Sequence, residues 1–395
     1  MSTTTYGPNL VVPTATFNNT YSTTDLIAQA GSLAPSTSNA ATIKTWYQKI
    51  INTTGSPYWS NVASYNTVAI TWPVGNNKSY GTLLLPDGRV LFPPGDGGSY
   101  VGLFNPSTNV FSSVLAATGY WGAVLVPDGR VVFVPYTATN VGTWNPVTSV
   151  FTTYASGGTA GVTSPGGGSA YTGGVLVPDG RVIFTPHTAT HVGTFNPATN
   201  TFVTYAAGGP QGSFAYYGGV LTLDGRVVFV PGNAQNVGVF NPVTNSFTTY
   251  TGTAVPPGTN AHYGGVLASD GRVIFTPSNT PNVGIFDPTT NQYSSVSTSS
   301  LIAAPSYNII GACPLPDGRI LFISRNSAKF FAFNPVTNTF ATAGNMTATL
   351  DCTGGQLLPD GRIVLGPQNS TSLAIITGGS PVPAEFCLHP IFNKY

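Results

Sequence analysis

Charged side chains are scarce in this chain. Of its 395 residues, 13 are Lys or Arg and 12 are Asp or Glu, so 6% are charged, against roughly 25% in an ordinary soluble domain. The formal net charge is +1. A nucleic-acid binder needs a basic stripe to neutralise phosphates, and this composition argues against one. Cysteine is nearly absent: Cys313, Cys352 and Cys387 are too few for a disulfide framework. No Cys-x-x-Cys or Cys/His cluster suggests zinc. No apolar run approaches the length of a membrane-spanning helix. The first residues, Met1 to Val12, show neither a basic segment nor an apolar one, so no secretory signal is expected.

What the chain has in quantity is Gly (47) and Pro (33), together with 41% hydrophobic and 12% aromatic residues. That is enough apolar material for a large core, which argues against disorder. The turn formers are periodic. The triplet Asp-Gly-Arg begins at Asp87, Asp128, Asp179, Asp224, Asp270, Asp317 and Asp360, at spacings of 41 to 51 residues. Such a period is the mark of a repeat architecture.

One unit shows the pattern. Gly173 to Val177 is a short apolar run, and Pro178-Asp179-Gly180 is a turn in which Gly supplies a positive φ. Arg181 to Phe184 is β-branched and aromatic and reads as a second strand. A third run, His191 to Phe195, leads into the turn Asn196-Pro197-Ala198-Thr199-Asn200, followed by the alternating Thr201 to Tyr205. Each unit is two hairpins. Seven units of four antiparallel strands predict an all-β fold, a seven-bladed β-propeller. The seventh unit lacks its Asn-Pro turn and fourth strand, while the run Thr67 to Trp72 precedes the first unit. The N-terminal run is expected to pair beside Leu373 to Thr377 and close the ring, removing open sheet edges.

The runs Gly173 to Val182 and Phe195 to Phe202 resemble the kelch and galactose-oxidase type of propeller. The resemblance covers about 310 residues and implies architecture rather than activity. In style the Asn- and Thr-rich repeats are also similar to propeller-repeat proteins of phages and large DNA viruses.

The turn residues Asp87, Arg89, Asp128, Arg130, Asp179, Arg181, Asp224, Arg226, Asp270, Arg272, Asp317, Arg319, Asp360 and Arg362 make up 14 of the 25 charges. Their presence in every unit gives them a structural reading: the carboxylate accepts from nearby backbone N–H groups, and the guanidinium reaches carbonyls of a neighbouring blade. The remainder offers few positioned titrating pairs for acid–base work. His187 and His191 flank one loop at the i, i+4 spacing of a metal pair, which points to a metal only on a helix and not in a loop entering a strand. The sequence reading therefore expects no enzyme, no catalytic residue, no cofactor and no metal. Aromatics gather before the first strands, and Tyr80, Trp121, Tyr171, Tyr217 and Tyr263 are candidates for a ligand face, either holding a sugar or packing blade seams.

Outside the repeat the organisation changes. Residues 1–65 form an arm with an amphipathic helix expected over about 39–52, whose stripe includes Ile43, Trp46, Tyr47 and Ile50. Residues 66–378 are the propeller, and 379–395 an apolar, aromatic tail. These features suit a non-enzymatic virion structural or appendage protein. Its arm and tail would bind other assembly proteins, and its propeller would meet a host glycan or surface protein. The alternatives are a glycan-binding propeller at a cell surface or outside the cell and, further off, a galactose-oxidase-like enzyme.

Overall fold

The computed structural model describes residues 3–5, 11–13, 64–73, 78–95, 98–155, 168–206, 213–251, 258–298, 309–325, 329–345 and 351–377. They form seven four-stranded antiparallel sheets, the blades of a propeller, and a separate pairing of Thr3–Thr5 with Val11–Pro13. Blades 1 to 7 open with the strands Leu83–Leu84, Tyr120–Leu125, Tyr171–Leu176, Tyr216–Leu221, His262–Leu267, Ile309–Pro314 and Cys352–Leu357. These first strands pack beside one another around the axis. Fourth strands such as Ser246–Tyr250 lie at the rim, where their burial falls away. The arm helix expected over 39–52, with Ile43, Trp46, Tyr47 and Ile50, and the tail from 379 onward lie outside the described residues.

Blade 7 takes its fourth strand from the N-terminal side. Ser64–Ala69 pairs antiparallel with Ser372–Thr377, from Ser64 opposite Thr377 to Ala69 opposite Ser372. The pairing begins three residues earlier than the expected Thr67 to Trp72. Ile70 still donates its N–H to Thr371 O, but Trp72 has left the ladder to become a core residue of blade 1.

The blade core explains why. In blades 2, 3 and 4 the residue eight before the turn Asp is a tyrosine: Tyr120, Tyr171 and Tyr216. Each packs against a second-strand Phe and a fourth-strand Phe, as Tyr171 does with Phe184 and Phe202 at centroid distances of 5.8 and 6.3 Å. A third-strand glycine lies beneath; a Cβ on Gly193 would come within 2.9 Å of both Tyr171 and Phe202. Blade 1 has the small Ser79 at this position, and Trp72 supplies the ring, 6.2 Å from Phe92 and 5.1 Å from Phe111. Blade 5 has His262 facing Tyr293, with its Nε2 3.1 Å from the phenol oxygen. Cys313 and Cys352 are buried, and burial pushes both thiols up to about 12, so they serve as small core side chains.

The turns joining strands 1 to 2 and 3 to 4 share one face of the ring, and there the Asp-Gly-Arg arginines tie blade to blade. Asp179 accepts from the N–H of Arg181 at 3.0 Å and from its Nε at 2.8 Å. Arg181 then donates across the seam to Pro242 O at 2.6 Å and Asn245 Oδ1 at 2.9 Å. Arg130, Arg226 and Arg272 make the same pair of links to the following blade. Arg89 reaches Pro146 O, and Arg362 reaches Pro106 O across the closure at 2.8 Å. Asp317 and Arg319 pair with each other, and blade 7 has no Asn-Pro turn to receive Arg319. The fork geometry matters, because a lysine offers a point charge with no planar pair of donors. Arg181→Lys is expected to destabilise the ring by about 1 kcal/mol, the scale of a hydrogen bond to a charged group at a half-exposed seam. A chemical-denaturation midpoint equal to wild type would contradict the seam role.

Candidate ligand face

The opposite face carries the loops between strands 2 and 3 and between blades. A belt of backbone hydrogen bonds runs through it. In blades 1, 3, 4 and 5 the residue before the core position donates to the carbonyl just past the preceding blade's second strand: Ala170 to Tyr136 O, Ala215 to His187 O, Ala261 to Gly232 O, and Lys78 to Gln368 O across the closure. This belt fixes two rings of side chains, one seven residues before each turn Asp and one eight residues after it.

The first ring is Tyr80, Trp121, Thr172, Tyr217, Tyr263, Ile310 and Thr353. A bulge follows each of these residues in blades 2 to 5, as between Tyr216 and Gly219. In blade 4 the bulge uses Gly218 at φ 79°. A bulge adds a residue and re-aims its neighbours, so the core residue turns into the blade and the next points to the axis. Four aromatics meet there. Tyr80 stacks on Trp121 at 3.6 Å and 5°. Tyr217 stacks on Tyr263 at 4.3 Å. Trp121 lies 6.1 Å from Tyr263, three blades round the ring, so the rings close the mouth of the channel.

The second ring contributes Tyr136 and His187. Trp121 to Tyr136 is 4.7 Å, Tyr136 to His187 5.8 Å and His187 to Tyr217 4.6 Å. With the Tyr217–Tyr263 stack and the Trp121–Tyr263 contact they make a closed circuit of five rings. Gly232 is the blade 4 counterpart of His187 and leaves room for Tyr217; a Cβ there would lie 2.5 Å from the Tyr217 ring. Burial, with Tyr136 beside it, pushes the Tyr217 phenol up to about 12, so it stays protonated. Burial also pulls His187 down to about 4, against a hydrogen bond to Ser169 O.

Of the five aromatics proposed from sequence, the structure brings Tyr80, Trp121, Tyr217 and Tyr263 together. Tyr171 is corrected: it stands eight residues before its turn Asp, and a one-residue offset in a strand turns a side chain to the other face. Its ring is buried in blade 3, and Thr172 takes the axial place, donating to Tyr216 O at 3.0 Å. Sequence reasoning missed Tyr136 and Phe214, and it treated His187 as an isolated loop residue. The signal for Tyr136 and His187 is their common position eight residues after the turn Asp. His191 points elsewhere, with Nδ1 2.9 Å from Thr190 Oγ1.

A charged group sits at the closure on the same face. Arg325 Nε donates to Asp351 Oδ1 at 2.6 Å, tying blade 6 to blade 7, and Asn369 Nδ2 donates to the other carboxylate oxygen. Lys78 is buried and donates to the carbonyls of Asn369 and Ser370 at 3.2 and 3.0 Å. Burial pulls its ammonium below the ordinary value, with Asp351 opposing. No group of three side chains fit to hold a metal ion is gathered among the described residues.

No protein-family model matches the chain, and no curated protein matches it in sequence. Solved structures do share its fold. The virginiamycin B lyase of Staphylococcus aureus superposes with a TM-score of 0.64 at 14% identity, over 80% of this chain and 99% of its own. A streptogramin B lyase gives 0.65 at 17%, over 82% and 99%. The WD40 repeats of RRP9 give 0.60 at 11%, over 82% and 99%. These identities establish the propeller and nothing finer. The kelch and viral-repeat likeness thus remains one of sequence pattern, since these structures are lyase and WD40 propellers. The expectation that the chain is not an enzyme does not stand, because two of these full-length matches are lyases.

Proposed function

We propose that this chain is a recognition propeller that engages a partner macromolecule through the face opposite the Asp-Gly-Arg turns. The observation that carries this reading is the closed aromatic circuit at the channel mouth. Trp121, Tyr217 and His187 are buried in it, Tyr136 and Tyr263 are half-buried, and Phe214 beside it is exposed, a cluster of the side-chain type at which interfaces concentrate binding energy. The other face is committed to blade-to-blade arginine links. A seven-bladed ring is a rigid scaffold for such contact, and the WD40 propeller of RRP9 shares the form. The setting we propose is a virus particle or a similar assembly that meets a host surface. Low charge and Asn/Thr-rich repeats support it, and the sequence outside the ring would serve as the anchor.

Site-specific photo-crosslinking tests the reading. A photoreactive phenylalanine analogue is placed at Asn279, exposed on the recognition face, or at Val243, 84% exposed on the opposite face. Irradiated in intact particles, position 279 is expected to give one defined adduct and position 243 none. The reverse pattern, or equal labelling from both, refutes the assignment of the face. Capture on immobilised glycans that depends on Trp121 would replace the macromolecular partner with a sugar.

A further inference from the structure

His187 is the one titratable side chain in the aromatic circuit that is not a phenol, and half of its hydrogen-bonding capacity is unused. Its Nδ1 lies 2.9 Å from Ser169 O. A carbonyl only accepts, so Nδ1 carries the proton and Nε2 is a bare acceptor. The residue is 1% exposed, and Nε2 has no hydrogen-bond partner. Around it stand Tyr136, Tyr217 and Phe214, the last with its ring centroid 4.8 Å away. Buried polar atoms are as a rule satisfied, and an orphan needs a reason.

Phe214 supplies a second oddity. Its φ is 60°, in the left-handed region. The matching residues of blades 3 and 5 are Ser169 and Asn260, at 64° and 56°. Asn tolerates that conformation and a small Ser fits it without crowding, whereas a bulky aromatic is an outlier. Strain held at a ligand clamp is a recurring device. Here it holds a ring that is 40% exposed over the unpartnered histidine.

We propose that His187 Nε2, beneath Phe214, is the acceptor of a subsite for a planar aromatic group bearing a single N–H or O–H donor, an indole or a phenol. The surroundings decide the class. A sugar brings many hydroxyls against a wall whose side-chain acceptors are His187 Nε2 and the phenol oxygens of Tyr136 and Tyr217, and each hydroxyl left unpaired is penalised on burial. An indole or phenol brings one donor and otherwise apolar faces, which match Tyr136, Tyr217 and Phe214. The group is either a free small aromatic or a Trp or Tyr side chain of the bound partner. The inference rests on the face opposite the Asp-Gly-Arg turns being the recognition face.

Isothermal titration of the full chain with indole and with 1-methylindole tests it. Indole is expected to bind, and 1-methylindole, which lacks the donor, to bind about tenfold more weakly, as follows from leaving a buried acceptor unpaired. His187→Phe should bind both probes alike. Phe214→Gly, which suits the left-handed backbone, should weaken indole and 1-methylindole alike by loss of the covering ring and leave the discrimination between them intact, and it keeps the test valid should His187→Phe fail to fold. A capped Gly-Trp-Gly peptide that binds with the same dependence on His187 identifies a partner side chain as the source, and binding by indole alone identifies a free aromatic. Equal binding of the two probes by wild type, or discrimination that survives His187→Phe, overturns the subsite. So does methyl galactoside binding in a His187-dependent manner ahead of indole. Absence of indole binding also overturns the subsite, while the recognition face is still judged by cross-linking at positions 279 and 243.

Discussion

Truncating Trp72 to alanine is expected to destabilise the ring by about 3–5 kcal/mol, the range for removing a large buried aromatic from a close-packed core. The side chain is 8% exposed and fills the place between Phe92 and Phe111 that a first-strand tyrosine fills in blades 2 to 4. Gly102 beneath it has no Cβ because one would lie 2.4 Å from the indole. The loss should therefore leave a cavity that blade 1 cannot collapse. Trp72→Tyr, which restores the ring used elsewhere, should lose much less. Truncations sharpen the point. A chain beginning at Ser64 retains the closing strand and Trp72 and is expected to melt cooperatively. A chain beginning at Val74 loses both, exposes the edge of Ser372–Thr377 and should aggregate on warming. Near-UV circular dichroism during denaturation measures each case. Wild-type stability for Trp72→Ala would show that the N-terminal segment closes blade 7 without contributing to blade 1.

Much of this was legible in the residues. The seven Asp-Gly-Arg triplets gave the blade count, the paired turns gave four strands per blade, and the missing fourth strand of the last unit pointed to closure from the N-terminal side. The failures were matters of register. Thr67 to Trp72 looks like one uninterrupted strand, but only its first half pairs, because the demand for a ring in blade 1 draws Trp72 out of the ladder. Tyr171 looks equivalent to Trp121 and Tyr217 until its distance to the turn Asp is counted as eight residues instead of seven. The circuit itself was out of reach. Trp121 and Tyr263 are far apart in the chain and meet only because the ring closes and the bulges aim both at the axis. The exclusion of catalysis was a different error. A scarcity of titrating pairs describes composition, whereas a site is made by which few residues the fold gathers, and the same fold serves lyases.

Acid should destabilise the protein well before its carboxylates protonate, and two histidines are the reason. His187 and His262 are buried and neutral, each drawn by burial from 6.5 to about 4. The unfolded chain binds a proton at each near pH 6.5, whereas the folded chain resists until about pH 4. The stability they contribute is thus complete above pH 6.5 and is lost as pH falls from there toward 4. A separation of this size corresponds to roughly 3 kcal/mol per histidine. Asp224, held below its ordinary value through Arg226 and Thr222 despite burial, adds its own loss only below about 3.8. The window between 6.5 and 4 therefore isolates the histidines. The repeat supplies the control. His262 with Tyr293 replaces the Tyr216 and Phe247 of blade 4, with the phenol oxygen moved from the first strand to the fourth. His262→Tyr alone should overfill blade 5, and Tyr293→Phe alone should strip His262 Nε2 of its partner. The double variant rebuilds the blade 4 arrangement and should recover stability, a coupling of about 0.5–3 kcal/mol between touching residues. It should also remove about half of the fall in melting temperature between pH 7 and pH 4.5, leaving the part that belongs to His187. A melting temperature that is level across that range in the wild type would mean that neither histidine is held neutral by the fold.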